Sequence, residues 1–214
     1  MKKTLMLAVL AGLVLEAVAA EADAGGFVSV FNGQDLSGWI GATQSYAVEN
    51  GVLYAKPDKG GNLMLEKQYA DFILTFDFLL TTNSNNGVML RMKEVHGRGS
   101  IHGMEIQILD DYGSQYRKLV DWAWNGSIIG VAAAKRGFLK PVGQWNAQEV
   151  RAIGSRITVV LNGTVILDTD LKELKKLPDG KPHPGMLNPK GYLGFMAHYS
   201  RVGFRNLRIK EIKP

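Results

Sequence analysis

Apolar residues in this chain recur mainly at every second position, in short runs that end at Gly, Asn or Asp. That period is the one at which a strand shows one face to a core and the other to water. Phe72, Leu74, Phe76, Phe78 and Leu80 share one face of the run 72–80, and Met104, Ile106 and Ile108 share one face of 104–109. Further strand-like runs cover 87–92, 145–153, 191–196 and 202–212. The segments 46–48 and 52–54 bracket Asn50-Gly51, and 157–161 and 165–167 bracket Asn162-Gly163. Asn-Gly accepts the positive φ values of a type I′ turn, so both are predicted hairpins. Only 171–177, with Leu171, Leu174 and Lys175 at helical spacing, predicts a helix, barely two turns long. Many short strands without alternating helices predict an all-β fold, two antiparallel sheets packed face to face as a jelly-roll sandwich.

Composition narrows the classes. The chain has 214 residues, 25 of them Gly and none Cys. Abundant Gly suits a fold of many turns. The lack of Cys excludes a disulfide framework, a thiolate zinc site, a cysteine nucleophile, an iron–sulfur cluster and a lipid anchor on cysteine. A net charge of +5 without a Lys/Arg block gives no argument for nucleic acid. Lys2 and Lys3 precede an apolar run over residues 5–15, and Val18-Ala19-Ala20 supplies small residues at its end. This pattern reads as a secretory signal, cleaved after Ala20. The run is too short to span a bilayer, and Glu16 interrupts it. The expected organisation is a signal peptide at 1–20, a flexible segment at 21–26 and a single jelly-roll domain at 27–214. No membrane span is expected after cleavage, and the protein is expected to be secreted or periplasmic.

Candidate chemistry concentrates on 104–110. Alternation puts Glu105 and Gln107 together on the face opposite Met104, Ile106 and Ile108, about 7 Å apart at strand rise. Laminarinase-type glycoside hydrolases, which are jelly rolls, carry three alternating acids on a similar strand. Here the first acid is Glu105, the second position is Gln107 and the third is the apolar Leu109. A retaining mechanism needs two carboxyls about 5–5.5 Å apart, which this strand cannot supply alone. The segment 83–87 is expected to turn tightly at Gly87, and Arg91, which shares a face with Met89 and Lys93, to project beside Glu105 if the two strands are neighbours. His102 and His198 are expected to reach the same concave face, although no two His have the spacing of a local metal motif. Trp145 is expected in the core. Trp124, in an irregular loop, offers a ring face for stacking on a sugar. Asn86, His102, Trp124 and Asp110 are the candidate substrate contacts.

Several segments together carry a family resemblance: 31–39 (FNGQDLSGW), 83–91 (NSNNGVMLR), 105–110 (EIQILD), Trp145-Asn146 with Glu149, Leu161-Asn162-Gly163, His198, and 204–209 (FRNLRI). In this order, spread over 27–212, they resemble the bacterial 3-keto-disaccharide hydrolases, whose domain is a concanavalin A-like jelly roll of the lectin and glucanase type. The resemblance implies an exported enzyme that cleaves glycosides already oxidised at C3, by hydrolysis or by elimination followed by hydration, in some members with a divalent metal ion. It also implies a sugar 3-oxidoreductase acting upstream. Glu105 and His198 match the family's recurrent acidic and His positions, with Arg91 and Gln107 beside them. One of Glu105 and His198 is then the base and the other a metal ligand or supporting group, while Arg91 and Gln107 hold sugar hydroxyls or the developing oxyanion. The sequence departs from the commoner pattern at Phe195-Met196-Ala197-His198, where a more polar segment ending in Gln-Asp-His is usual. The alternative reading is a non-catalytic carbohydrate-binding jelly roll, which needs aromatics and hydroxyl binders but no converging Glu and His.

Overall fold

A computed structural model describes residues 22–213; the expected signal at 1–20 lies outside them. Residues 22–26 form a turn in which the Asp23 carboxylate accepts the Gly25 and Phe27 N–H groups and pairs with Arg208. Among the described residues the chain forms β1 (Val28–Ser29), β2 (Trp39–Gly41), β3 (Tyr46–Glu49), β4 (Val52–Ala55), β5 (Gly60–Tyr69), β6 (Phe72–Leu80) and β7 (Asn85–Met92). A short helix α1 (Gly99–His102) precedes β8 (Met104–Leu109), and β9 (Trp145–Ile153), β10 (Arg156–Leu161), β11 (Thr164–Asp170), β12 (Gly191–His198) and β13 (Val202–Glu211) follow. The larger sheet runs β11-β10-β9-β6-β13-β4-β3, with β1 also paired to β13, and the smaller runs β2-β5-β12-β7-β8. Every pairing is antiparallel, giving the jelly-roll sandwich that the alternating pattern predicts.

The core lies between the sheets. Phe72, Leu74, Phe76, Phe78 and Leu80 of β6 are all buried, and Met104, Ile106 and Ile108 of β8 face them from the smaller sheet. Phe195 of β12 ties the layers, its ring centre 5.6 Å from that of Phe76 and 4.0 Å from that of Phe204. Each such buried ring contributes roughly 1.5–3 kcal/mol of burial energy. Both Asn-Gly hairpins form, with φ of 50° and 77° at Asn50 and Gly51 and 49° and 85° at Asn162 and Gly163.

Three expectations about local structure are corrected. The segment 171–177 is not a helix: it makes one 3-10 turn, Leu171–Glu173, started by Asp170 accepting the Lys172 N–H. Two turns are too few to repay helix nucleation unless packing helps, and only Leu171 of this stretch is buried. Trp145 is half-buried outside the core, with the Arg205 guanidinium carbon 4.0 Å from its ring centre. The turn before β7 sits at Asn83, with φ 57°, and Gly87 lies within the strand.

Candidate functional site

The side chains of the smaller sheet that point away from the core form two territories. The first is apolar: Met64, Met89 and Met92 are fully buried there, with Ile40, Val95, Tyr192 and Met196 packed around them. The chain after β7 roofs this patch, pinned by Asn62, whose Nδ2 donates to the carbonyls of Val95 and Gly97 at 3.0 and 2.9 Å. The second territory holds the polar residues of β8 and the end of β12. The β8 edge is covered by the chain around Ser127: Gln107 N–H donates to the Ser127 carbonyl, Gly126 N–H to that of Gln107 and Ile129 N–H to that of Glu105. An edge strand closed in this way offers no free ladder to another chain.

Glu105 and His198 meet in the second territory. Glu105 Oε1 lies 3.7 Å from His198 Nε2, with the carboxylate side chain 13% exposed and the imidazole 34%. The distance exceeds a direct hydrogen bond, and catalytic contacts are commonly loose before substrate arrives. Register explains how they touch. Across the sheet, Glu105 pairs with Met89 and Gln107 with Gly87; Met196 also pairs with Gly87, and His198 lies one face position further along β12. Glu105 and His198 are therefore separated by one row of side chains, and in that row the position on β7 is Gly87. A Cβ there would stand 2.3 Å from Glu105 Oε1 and 2.7 Å from its Cγ. Gly87 has no positive φ that would demand glycine. Its role is the space it leaves, through which the carboxylate leans toward the imidazole.

Gln107 shares the face of Glu105 as expected and is 7% exposed. Its Nε2 donates a long bond, 3.4 Å, to the Ala123 carbonyl, and its Oε1 is buried without a partner. His102 sits at the rim, 3.6 Å from Glu94. The short α1 that ends at His102 begins with Gly99, where a Cβ would meet Glu105 Cβ at 3.0 Å.

Four expected site residues are elsewhere. Arg91 does not project beside Glu105. The β7–β12 pairing shifts by one residue between Tyr192 and Gly194, Arg91 takes φ 48°, and Met92 replaces it on the Met89 face. The bulge directs Arg91 to the sandwich edge, where it is 2% exposed, pairs with Asp71 at 2.9 Å and donates to the carbonyls of Ala70, Ala152 and Gly154. Burial lowers its pKa against the opposing pull of Asp71. Arg91→Ala should therefore cost about 2–3 kcal/mol in urea unfolding, since these bonds are charge-assisted and largely dry; lost turnover at unchanged stability would instead return Arg91 to the site. Asn86 alternates with Gly87 and so faces the core, fully buried near Tyr46, whose hydroxyl burial pushes far up in pKa. Asp110 is spent on a turn, accepting the N–H groups of Asn83 and Tyr112. Trp124 is buried, and the Arg136 guanidinium carbon lies 3.6 Å from its ring centre, so that face is taken. Nearby Asp111 accepts the Asn125 N–H, and burial raises its pKa.

At the pair the chain offers a cation two donors, the Glu105 carboxylate and the His198 imidazole. Among the described residues no three His, Asp or Glu side chains converge. One carboxylate and one imidazole fall short of the three protein ligands by which catalytic zinc is held. A cavity of about 500 Å³, bounded by Phe31, Leu65 and Tyr69 at the opposite end of β5, contains none of these groups.

A sequence profile described as the 3-keto-alpha-glucoside-1,2-lyase-like domain matches residues 26–210. The chain belongs to this family. A 3-keto-disaccharide hydrolase of Bacteroides thetaiotaomicron is 22% identical over an alignment covering 89% of this chain and 80% of that protein. A proposed glycosyl hydrolase of Parabacteroides distasonis is 25% identical, with a TM-score of 0.76 over 87% of this chain and 99% of the other. The carbohydrate-binding module CBM66 of Bacillus subtilis shares the fold at 14% identity, with a TM-score of 0.57 over 81% of this chain and 96% of the module.

Proposed function

We propose that this member of the 3-keto-alpha-glucoside-1,2-lyase-like family cleaves the glycosidic bond of glycosides oxidised at C3, and that Glu105 and His198 carry the proton transfers. The observation that supports this reading is the Glu105–His198 approach of 3.7 Å on the outer face of the smaller sheet, in a family named for that chemistry. A ketone at C3 acidifies the hydrogen on C2, so a single base starts the reaction. One member of the pair takes the C2 proton, and the electron pair left on carbon forms the C1–C2 double bond. The C1–O bond breaks, and its oxygen receives a proton from the other member. Water added across the double bond then completes a net hydrolysis. General acid–base work of this kind contributes typically about 10²–10⁴ in rate. Gln107, with an unpaired carbonyl oxygen beside Glu105, is placed to accept from a sugar hydroxyl once its side chain turns outward.

Unmodified β-glucans should not be cleaved. Leu109 stands where a third acid of a laminarinase-like strand would be, Asp110 is held in its turn, and Asp77 pairs with Arg205 on the larger sheet. Incubating the protein with matched native and 3-keto disaccharides, with and without chelator, and following products by mass spectrometry tests the reading. Cleavage of the 3-keto sugar alone is the expected result, the chelator arm telling whether the pair works with a bound cation; cleavage of both sugars at similar rates, or of neither, would sink it.

The same reading makes the protein an exported one, secreted or periplasmic, that receives its substrate from a sugar 3-oxidoreductase. Its basis is the charged start, apolar run and small residues of 1–20, together with the chemistry of the substrate. Mass spectrometry of protein recovered outside the cytoplasm should find a chain beginning near Glu21.

A further inference from the structure

Tyr199 follows His198 directly and is the most exposed large apolar side chain of the described residues, at 71%. Its backbone has φ 53°, a left-handed conformation that a bulky residue rarely adopts and that costs free energy unless its surroundings enforce it. They do so here. Tyr199 N–H donates to the Lys59 carbonyl at 3.2 Å, and the next residue, Ser200, is bound both ways to Asn85, its Oγ accepting that residue's N–H and donating to its carbonyl, each at 2.7 Å.

The strained backbone lays the Tyr199 ring against Gly60. A Cβ on Gly60 would stand 3.1 and 3.2 Å from two ring carbons, Cε2 and Cζ. Gly60 pairs directly with His198, and opposed residues of antiparallel strands present their side chains on the same face. The ring therefore flanks His198 on one side, while the Glu105 carboxylate reaches it from the other over Gly87. An open aromatic surface is thus fixed beside the reacting pair, and nothing among the described residues covers it.

We propose that the Tyr199 ring is the platform on which a pyranose ring of the substrate stacks, a role resting on the reading of Glu105 and His198 as the reacting centre. Sugars present C–H groups on one face that pack on aromatic rings, while their hydroxyls find polar partners. The pair supplies such partners here, and Gln107 joins it once its side chain turns outward. Rigid placement lowers the ordering cost of binding, which gives the unfavourable φ a purpose.

Calorimetric titration with a 3-keto disaccharide tests this in a Glu105→Gln background, where the sugar stays intact, with Tyr199 as wild type, Phe, Gly or Asn. Gly and Asn accept the left-handed backbone but remove the ring. Both should weaken binding about tenfold, equivalent to about 1.4 kcal/mol, with Tm no lower than that of the parent, whereas Phe should bind within about threefold. Unchanged affinity in the Gly and Asn variants would overturn the platform, and so would a Phe variant as weak as Gly, because the hydroxyl would then be the contact. Should the Glu105→Gln parent fail to bind the sugar at all, it is the assignment of the site that falls. Binding by the parent that is indifferent to Tyr199 removes only the platform.

Discussion

Glu105→Gln is expected to lower kcat for a 3-keto disaccharide by about 10²–10⁴ while leaving Tm nearly unchanged, and His198→Ala is expected to do the same. The rate loss is that of a general acid or base removed from the transition state. The stability should hold because both side chains stand on the outer face of their strands, while Ile106, Phe195 and Ala197 next to them fill the core. Truncating a group outside the core opens no cavity, and such changes usually move stability by under about 0.5 kcal/mol. Steady-state kinetics beside a thermal melt separate the two effects. Wild-type rates in both variants would place the chemistry elsewhere or leave a protein that only binds sugar; unfolding of both would make the pair structural.

Gly87→Ala should be nearly as damaging to kcat, for a different reason. The added methyl would occupy the space of Glu105 Oε1, 2.3 Å away, and the flexible end of the Glu side chain must move aside. That motion takes the carboxylate off His198, while alanine is no worse than glycine in a strand interior and spares the backbone entropy. The variant should therefore combine unchanged or slightly raised Tm with a kcat about 10²-fold lower, as the loss of proton transfer alone predicts. A double-mutant cycle isolates the cause: in a Glu105→Gln background, Gly87→Ala should cost little more, because the group it displaces is already disabled. Additive losses would show that Gly87 acts independently of Glu105.

The two-sheet architecture was legible because most strands bury one face only. Alternation on β6 and β8 assigns the core residues and, by exclusion, the outward Glu105 and Gln107. His198 was legible as the end of a strand of the same kind. β5 was not, although its Gly60 end carries the Tyr199 ring. Leu63, Met64 and Leu65 are all buried, the two leucines in the main core and Met64 under the chain that crosses the outer face, so the period of two disappears from the sequence. Arg91 was misplaced because a one-residue bulge leaves no mark in the pattern yet reverses every face assignment after it. Asn86 was misplaced because its segment reads as loop, whereas β7 already begins at Asn85 and turns Asn86 inward. Gly87 offered only a glycine in a strand-like run; that it makes room for a carboxylate depends on the register of three strands.

The most direct measurement is the fate of the C2 hydrogen in a 3-keto disaccharide carrying deuterium at C2 of its oxidised sugar, followed by mass spectrometry beside a no-enzyme control. Removal of that hydrogen by the Glu105–His198 pair should release a keto sugar that has lost the deuterium at a rate matching cleavage, with Glu105→Gln nearly inert and the unoxidised disaccharide uncut. Cleavage with the C2 deuterium fully retained would contradict proton abstraction at this pair.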